Sequence, residues 1–314
     1  MNHAEHRPPA AAILVVPLIV ALVLTLFAWP SSRLEPRDLP IGVAGPAPAA
    51  DTLERHLTAT EGAFDVHRYA SDAEARAAIE DREAYGAFVA TPSGPTVLTS
   101  SAASPAVAQM LTHAAAEQHA LVEDVVRTPK AGTGLGSSVL PLVLAGILTG
   151  ALAALAVSSG AARAGLTVVG SVLAGVASAL VADTWLGIVE GSWLANAGAF
   201  ALTFMAISAA IAGLYALFGR AGLGIGALVM IFIGNPFSAA ATAPELLPQP
   251  VGGLGQLLPP GAGANLLRST GFFDGAGAGE HIAVLAIWAT AGLAAMLLAR
   301  FAHGTLMRPV SQSA

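Results

Sequence analysis

Apolar positions along the chain fall into two patterns. Six long runs carry no alternation, at residues 10–29, 138–157, 165–185, 195–218, 222–237 and 281–301. A bilayer core about 30 Å thick is crossed by about 20 apolar helical residues, so these runs predict six transmembrane helices. The first is longer than the roughly 7–15 apolar residues of a secretory signal and lacks a clear A-x-A site after it, so it reads as an uncleaved anchor.

Between the first two runs the pattern changes. "LPIGVAG" (39–45) is a short apolar run ending in glycine, as in a buried strand. Asp51 stands where it would cap the helix "TLERHLTAT". "FDVHRYA" (64–70) alternates like a strand covered on one face. Ser71 then caps "DAEARAAIEDREA", in which Ala75, Ala78 and Ile79 share a face. "YGAFVAT" and "PTVLTSS" predict two strands with a turn at Pro92, Ser93 and Gly94, and a long helix over 105–126 is expected to lead back to the helical region. The order β-α-β-α-β-β-α predicts a small α/β domain with helices against a sheet.

Composition agrees with this division. The 314 residues are 55% hydrophobic and 11% charged, against about 25% charged in soluble domains. Mean hydropathy is +0.69. The expected fold class is an α-helical polytopic membrane protein with six transmembrane helices and a small α/β extracytoplasmic domain between helices 1 and 2. Its expected parts are residues 1–29 (N-terminus and anchor), 30–136 (the α/β domain) and 137–314 (helices 2–6, with a broken outer segment at 234–280). The net charge of −6 is unevenly spread, since 30–136 holds eight basic and fourteen acidic residues. With the N-terminus inside, the cytoplasmic segments carry Arg7, Arg163, Arg220, Arg300 and Arg308 beside Glu5. The short outer segments carry Arg268 as their one basic residue, with Asp183, Glu190, Glu245, Asp274 and Glu280. Positive charges remain on the cytoplasmic side, so both termini are expected there, in the cell membrane, with 30–136 outside.

Little in the chain looks like a reaction centre. Cysteine is absent, which removes disulfides, thiolate metal sites and a Cys nucleophile. His56, His67, His113 and His119 follow no metal-ligand spacing, and Glu80, Asp81 and Glu83 read as a charged helix end. "AGTGLGSS" has the glycines of a phosphate loop without its lysine or preceding strand, and reads as a hinge. The middles of the six runs hold no Asp, Glu, Lys, Arg or His, which disfavours a proton antiporter and an intramembrane protease. No catalytic residue, cofactor, metal or nucleic acid is expected. Gly146-x-x-x-Gly150 and Gly222-x-x-x-Gly226 allow close helix approach, either inside the chain or in a homodimer.

The fifth run is the irregular one. Its sixteen residues make about 24 Å of helix, short for a span. Gly234, Asn235 and Pro236 then break it, Pro236 by removing a donor and disfavouring helix at Asn235. Five more prolines follow before residue 261. Irregular backbone at membrane depth is tolerated where protein buries it or where it lines a wet cavity. The segment is therefore a re-entrant element at an outer gate, with Glu245 and Arg268 as a candidate pair across it, or else a plain outer loop.

In layout the chain resembles the membrane subunits of ABC-2-type exporters, in particular the phage-infection-protein-like branch with a large outer domain. "LPIGVAG", "AEARAAIEDREAYGAFVAT" and "GNPFSAAATAPELLPQPVGGLGQLLPPGAGANLLRSTGFF" carry the likeness. It implies a permease that exports a hydrophobic or lipid-like substrate as a dimer, with a separate ATP-binding subunit and with 234–273 as outer re-entrant helices. The nine residues before the first run and "SSGAARAG" (158–165) offer that subunit little docking surface. The alternative is a non-transporting envelope protein whose outer domain binds a partner.

Overall fold

The computed structural model describes residues 10–92, 94–130, 132 and 134–305. Glu5, Arg7 and Arg308, used for the orientation, lie outside the described residues, as do Ser93 of the expected turn and residues 131 and 133 of the glycine segment.

Helix α1 (Ala10–Ser31) leads into β1 (Leu39–Ala44), α2 (Ala47–Thr58), β2 (Phe64–Tyr69), α3 (Asp72–Glu80), β3 (Gly86–Thr91), β4 (Gly94–Thr99), α4 (Pro105–Glu117) and β5 (Leu121–Asp124). The five strands form one sheet in the order β2-β1-β3-β4-β5. β1 runs parallel to β2 and β3, β3 and β4 are an antiparallel hairpin, and β4 is parallel to β5. One face buries Leu39, Ile41 and Val43 against Ala50 and Leu57 of α2 and Val107 and Leu111 of α4. The other buries Ala44, Ala87 and Leu98 against Ala75 and Ile79 of α3. β1 is thus covered on both faces, which is why its apolar run is unbroken.

Local chemistry accounts for these boundaries. Ser71 caps α3 as expected, its side chain accepting from the Glu74 backbone N–H at 3.2 Å. Asp51 does not cap α2, which starts earlier at Pro46 with a proline in its first turn, a position where the missing N–H costs nothing. The expected helix over 105–126 ends at Glu117. His119 takes a left-handed φ of 52°, and the next residues join the sheet as β5. Arg76 of α3 grips that strand with two 2.6 Å bonds to the Glu123 carboxylate.

The remaining helices are α5 (Gly134–Ala156), α6 (Gly160–Ala179), α7 (Trp193–Phe218), α8 (Arg220–Val229), α9 (Val251–Gln256), α10 (Pro259–Phe272) and α11 (Ala278–Thr305). Among the described residues four helices are long and apolar enough to cross a membrane: Gly134–Ala156, Gly160–Trp185, Trp193–Phe218 and Ala278–Ala299. The expected first and fifth spans correspond to apolar helices of shorter described length, Val15–Ser31 and Arg220–Gly234.

α7 is the axis of this layer, packing against α5, α6, α8, α10 and α11. Small residues set the spacing. A Cβ on Gly150 would lie 2.6 Å from the Ser208 carbonyl, and one on Gly213 would lie 2.8 Å from that of Gly292. The Gly146/Gly150 pair therefore faces α7 within the chain. A buried hydrogen bond of 2.8 Å between Ser171 and Ser208 ties α6 to α7.

Candidate functional site

The junction between the sheet and the broken part of the helical layer holds a linked network of polar side chains. α8 continues as a π-helical segment, Met230–Gly234, and stops there. Asn235 still donates to the Met230 carbonyl at 3.0 Å in the π pattern, and Pro236 has no N–H with which to extend the ladder. Gly234 is required because a Cβ there would stand 2.7 Å from the Pro260 ring. Ser238 closes the break by donating to the Asn235 carbonyl at 2.7 Å.

Beyond the break the chain is built into the sheet layer. Ala243 and Leu246 are buried in the same apolar cluster as Leu39 and Ile41. The link between α1 and β1 pairs with this segment, Glu35 N–H to the Leu246 carbonyl at 3.2 Å and Arg37 N–H to that of Glu245 at 3.0 Å. α9 and α10 then turn back into the protein, and twelve of the fourteen α10 residues are buried. Arg268 is therefore not a loop residue. It lies in α10 at 3% exposure.

Two arginines meet on α10. Arg82 follows α3 in the left-handed conformation, φ 63°, which turns its side chain off the helix axis and towards α10. Its guanidinium donates to the Asn265 carbonyl at 3.2 Å, to the Asn265 Oδ1 at 3.1 Å and to the Ser269 hydroxyl, and lies 5.4 Å from the centre of the Phe273 ring. Arg268 donates to the same Asn265 Oδ1 at 2.8 Å and to the Ala240 carbonyl at 2.9 Å. The Asn265 amide donates onward to Gln256, at 2.6 Å, and Gln256 to the Ser238 carbonyl at 3.1 Å. The network thus reaches from the sheet layer to the break itself.

Among the described residues neither Arg82 nor Arg268 has a carboxylate within 4.0 Å, so the expected Glu245–Arg268 pair does not form. Glu245 instead accepts from the Tyr85 hydroxyl at 2.9 Å. Burial, reinforced by that carboxylate, pushes the Tyr85 phenol far above its usual pKa, and burial holds the Arg82 guanidinium below its own. A cavity of about 630 Å3 opens beside these groups, with Arg82, Tyr85, Glu245, Gln256, Asn265 and His281 on its wall.

The other sequence candidates stand apart. His67 contacts Asp65 at 3.1 Å on an exposed strand. His113 lies in α4 and His119 beyond its end. Asp183 lies in a π-helical end of α6, Leu180–Trp185, and accepts from Asn196 at 3.1 Å. Sequence reasoning missed Arg82 and Tyr85, which meet α10 and Glu245 only through the tertiary fold. A usable signal existed for Arg268, the one basic residue between Gly222 and Arg300, a stretch whose other charged residues are acids.

Residues 11–128 match the family described as ABC-2 family transporter protein. No curated protein and no solved structure matches the chain. The match covers α1 and the sheet, and that part of the chain is similar to the membrane subunits of ABC-2-type transporters. With the long apolar helices it points to a multi-pass membrane protein. ABC-2 permeases are generally the non-enzymatic component of transport and typically work with ATP-binding subunits in a lipid environment.

Proposed function

We propose that the chain is the permease of an ABC-2-type exporter that moves a hydrophobic or lipid-like compound outward across the cytoplasmic membrane. In this reading α1 and α8 also cross, both termini are cytoplasmic and residues 30–136 lie outside. The segment 234–280 is the re-entrant gate, Arg268 and Asn265 brace it, and the chain belongs with the branch that carries a large outer domain. A separate chain supplies ATP hydrolysis, and a second copy completes the pathway.

The single observation that carries this reading is the family match over 11–128 joined to a broken, buried segment on the sheet side of the helices. Both π-helical segments, Leu180–Trp185 and Met230–Gly234, fall at sheet-side helix ends. Such segments are concentrated at functional sites.

One observation favours the alternative, an envelope protein whose sheet domain binds a partner. α5 and α6 are joined by only residues 157–159, a narrow platform for an ATP-binding subunit. The experiment that separates the two readings is deletion of the protein followed by an assay of lipid and drug export, with Pro236→Leu as the pointed variant. The permease reading expects export to fall on deletion, and Pro236→Leu to alter export while the protein still inserts. Unchanged export on deletion would sink it.

A further inference from the structure

Two cavities on the sheet side of the helices share part of a wall, and one of them holds an arginine. One, of about 450 Å3, lies under the sheet layer, with Ser101, Thr128, Ala241 and Arg268 around it. The other, of about 520 Å3, is a groove between α5, the π-helical end of α6 and α7, lined by Pro141, Leu142, Ala145, Val181, Phe200 and Phe204. Leu135 and Ser137, in the first turn of α5, line both. A mostly apolar chamber that holds one arginine therefore lies beside an apolar groove, with one turn of helix between them. Each has the size of an ordinary small-molecule site, roughly 300–1,000 Å3.

The chamber is electrostatically incomplete. Arg268 is 3% exposed and has no carboxylate within 4.0 Å among the described residues. Two hydrogen bonds to protein acceptors, at Asn265 and Ala240, engage a guanidinium that carries five N–H donors. Arg82 adds a second positive charge on the same Asn265 oxygen. Thr128, which also lines the chamber, has its Oγ1 buried without a hydrogen-bond partner. A buried cation and a buried hydroxyl left this way are costly, and an anionic group between them would relieve both.

We infer that these two neighbouring cavities together bind an anionic membrane lipid. Its headgroup sits in the chamber against the Arg268 guanidinium and the Thr128 hydroxyl, and its acyl chain lies in the groove along α5. The two halves of the site match the two halves of such a molecule, and the groove's lining includes the exposed Ala145. This rests on the permease reading and gives its cargo a class. Charge selects the headgroup, and the apolar wall between α5, α6 and α7 accepts the chain from the side.

The test uses the full chain in phosphatidylcholine nanodiscs doped with phosphatidylglycerol that carries a photoreactive group within its acyl chain. Labelling is expected on peptides containing Leu142 or Phe200, about tenfold above equally tagged phosphatidylcholine, whose choline cation the two arginines would repel. Arg268→Gln is expected to reduce the phosphatidylglycerol signal to the phosphatidylcholine level. Ala145→Trp, a change at an exposed position that fills the groove without disturbing the core, is expected to reduce labelling by both lipids. Equal labelling by the two lipids in the unmodified protein overturns the proposal, and so does full labelling in Ala145→Trp. These readouts stand even if Arg268→Gln fails to fold. They need neither ATP nor transport. Absent labelling from a chain that still brings down an ATPase removes the lipid site alone, and labelling of a chain without one removes the permease reading alone.

Discussion

Each end of the helical layer buries an arginine away from any described carboxylate, and the two are held in different ways. At the sheet-side end Arg268 shares Asn265 with Arg82, a residue 183 positions away, and the chain of bonds continues through Gln256 to the break after Gly234. At the opposite end Arg163, 8% exposed, donates to the nearby Val157 carbonyl at 3.0 Å and lies 5.2 Å from the centre of the Tyr215 ring. Its Nε has no partner. The first end is a network that joins two layers of the molecule. The second is a local arrangement inside one turn and one neighbouring helix. A disturbance of the sheet layer is therefore carried into α10 through named hydrogen bonds, whereas the far end is joined to the rest by packing among α5, α6, α7 and α11.

The strongest way to break this contrast is Arg268→Met. It removes the Arg268 donor from the Ala240 carbonyl and leaves Asn265 Oδ1 with Arg82 alone, so a loss of about 3 kcal/mol is expected in thermal or denaturant unfolding in detergent. Combined with Arg82→Met the losses should not add, because both side chains use one oxygen. Strict additivity would mean that the network is only a set of neighbours.

Gly150→Leu tests part of the packing that connects the far end. It drives a side chain into the α7 backbone and should cost about 2 kcal/mol while leaving the sheet-side lipid labelling unchanged. Tyr85→Phe should cost about 1.5 kcal/mol through the lost bond to Glu245.

The same tyrosine has an alkaline signature. Its folded pKa is raised, so above the unfolded value of 10.0 the unfolded state gives up a proton that the folded state keeps. Stability contributed by the neutral phenol is complete below that pH and declines above it, by up to about 1.4 kcal/mol per pH unit. Tyr85→Phe should flatten that decline, and an unchanged slope would place the titration elsewhere.

The smallest effect is expected at the local end. Arg163→Met should cost about 1 kcal/mol, the scale of one cation–π contact. A loss equal to that of Arg268→Met would erase the distinction between the ends.

Much of the architecture was legible because period and length are local signals. The alternation of 64–70 gave β2, the apolar run at 39–45 gave β1, and the uninterrupted runs gave α5, α6, α7 and α11. The stop after Gly234 was legible for the same reason, since Pro236 acts on its own backbone. β5 was not, because its residues Leu121 and Val122 are exposed and the strand is held by pairing with β4 and by Arg76. α10 was hidden as well. Two prolines and three glycines argue against a helix, yet the prolines sit in its first turn. Gly263 lies so close to Thr203 of α7 that a Cβ would collide with it. Of the site, Arg268 could be singled out by charge. Its partners Asn265 and Arg82 could not, because only tertiary packing brings them to one point.

The measurement that tests the central claim most directly is affinity purification of the tagged chain from its native membranes, followed by an ATPase assay of what comes with it. The account predicts recovery of a separate ATP-binding chain, and hydrolysis that changes when the break after Gly234 is altered by Pro236→Leu. Recovery of the chain without any ATPase, together with unchanged export on its deletion, would contradict it.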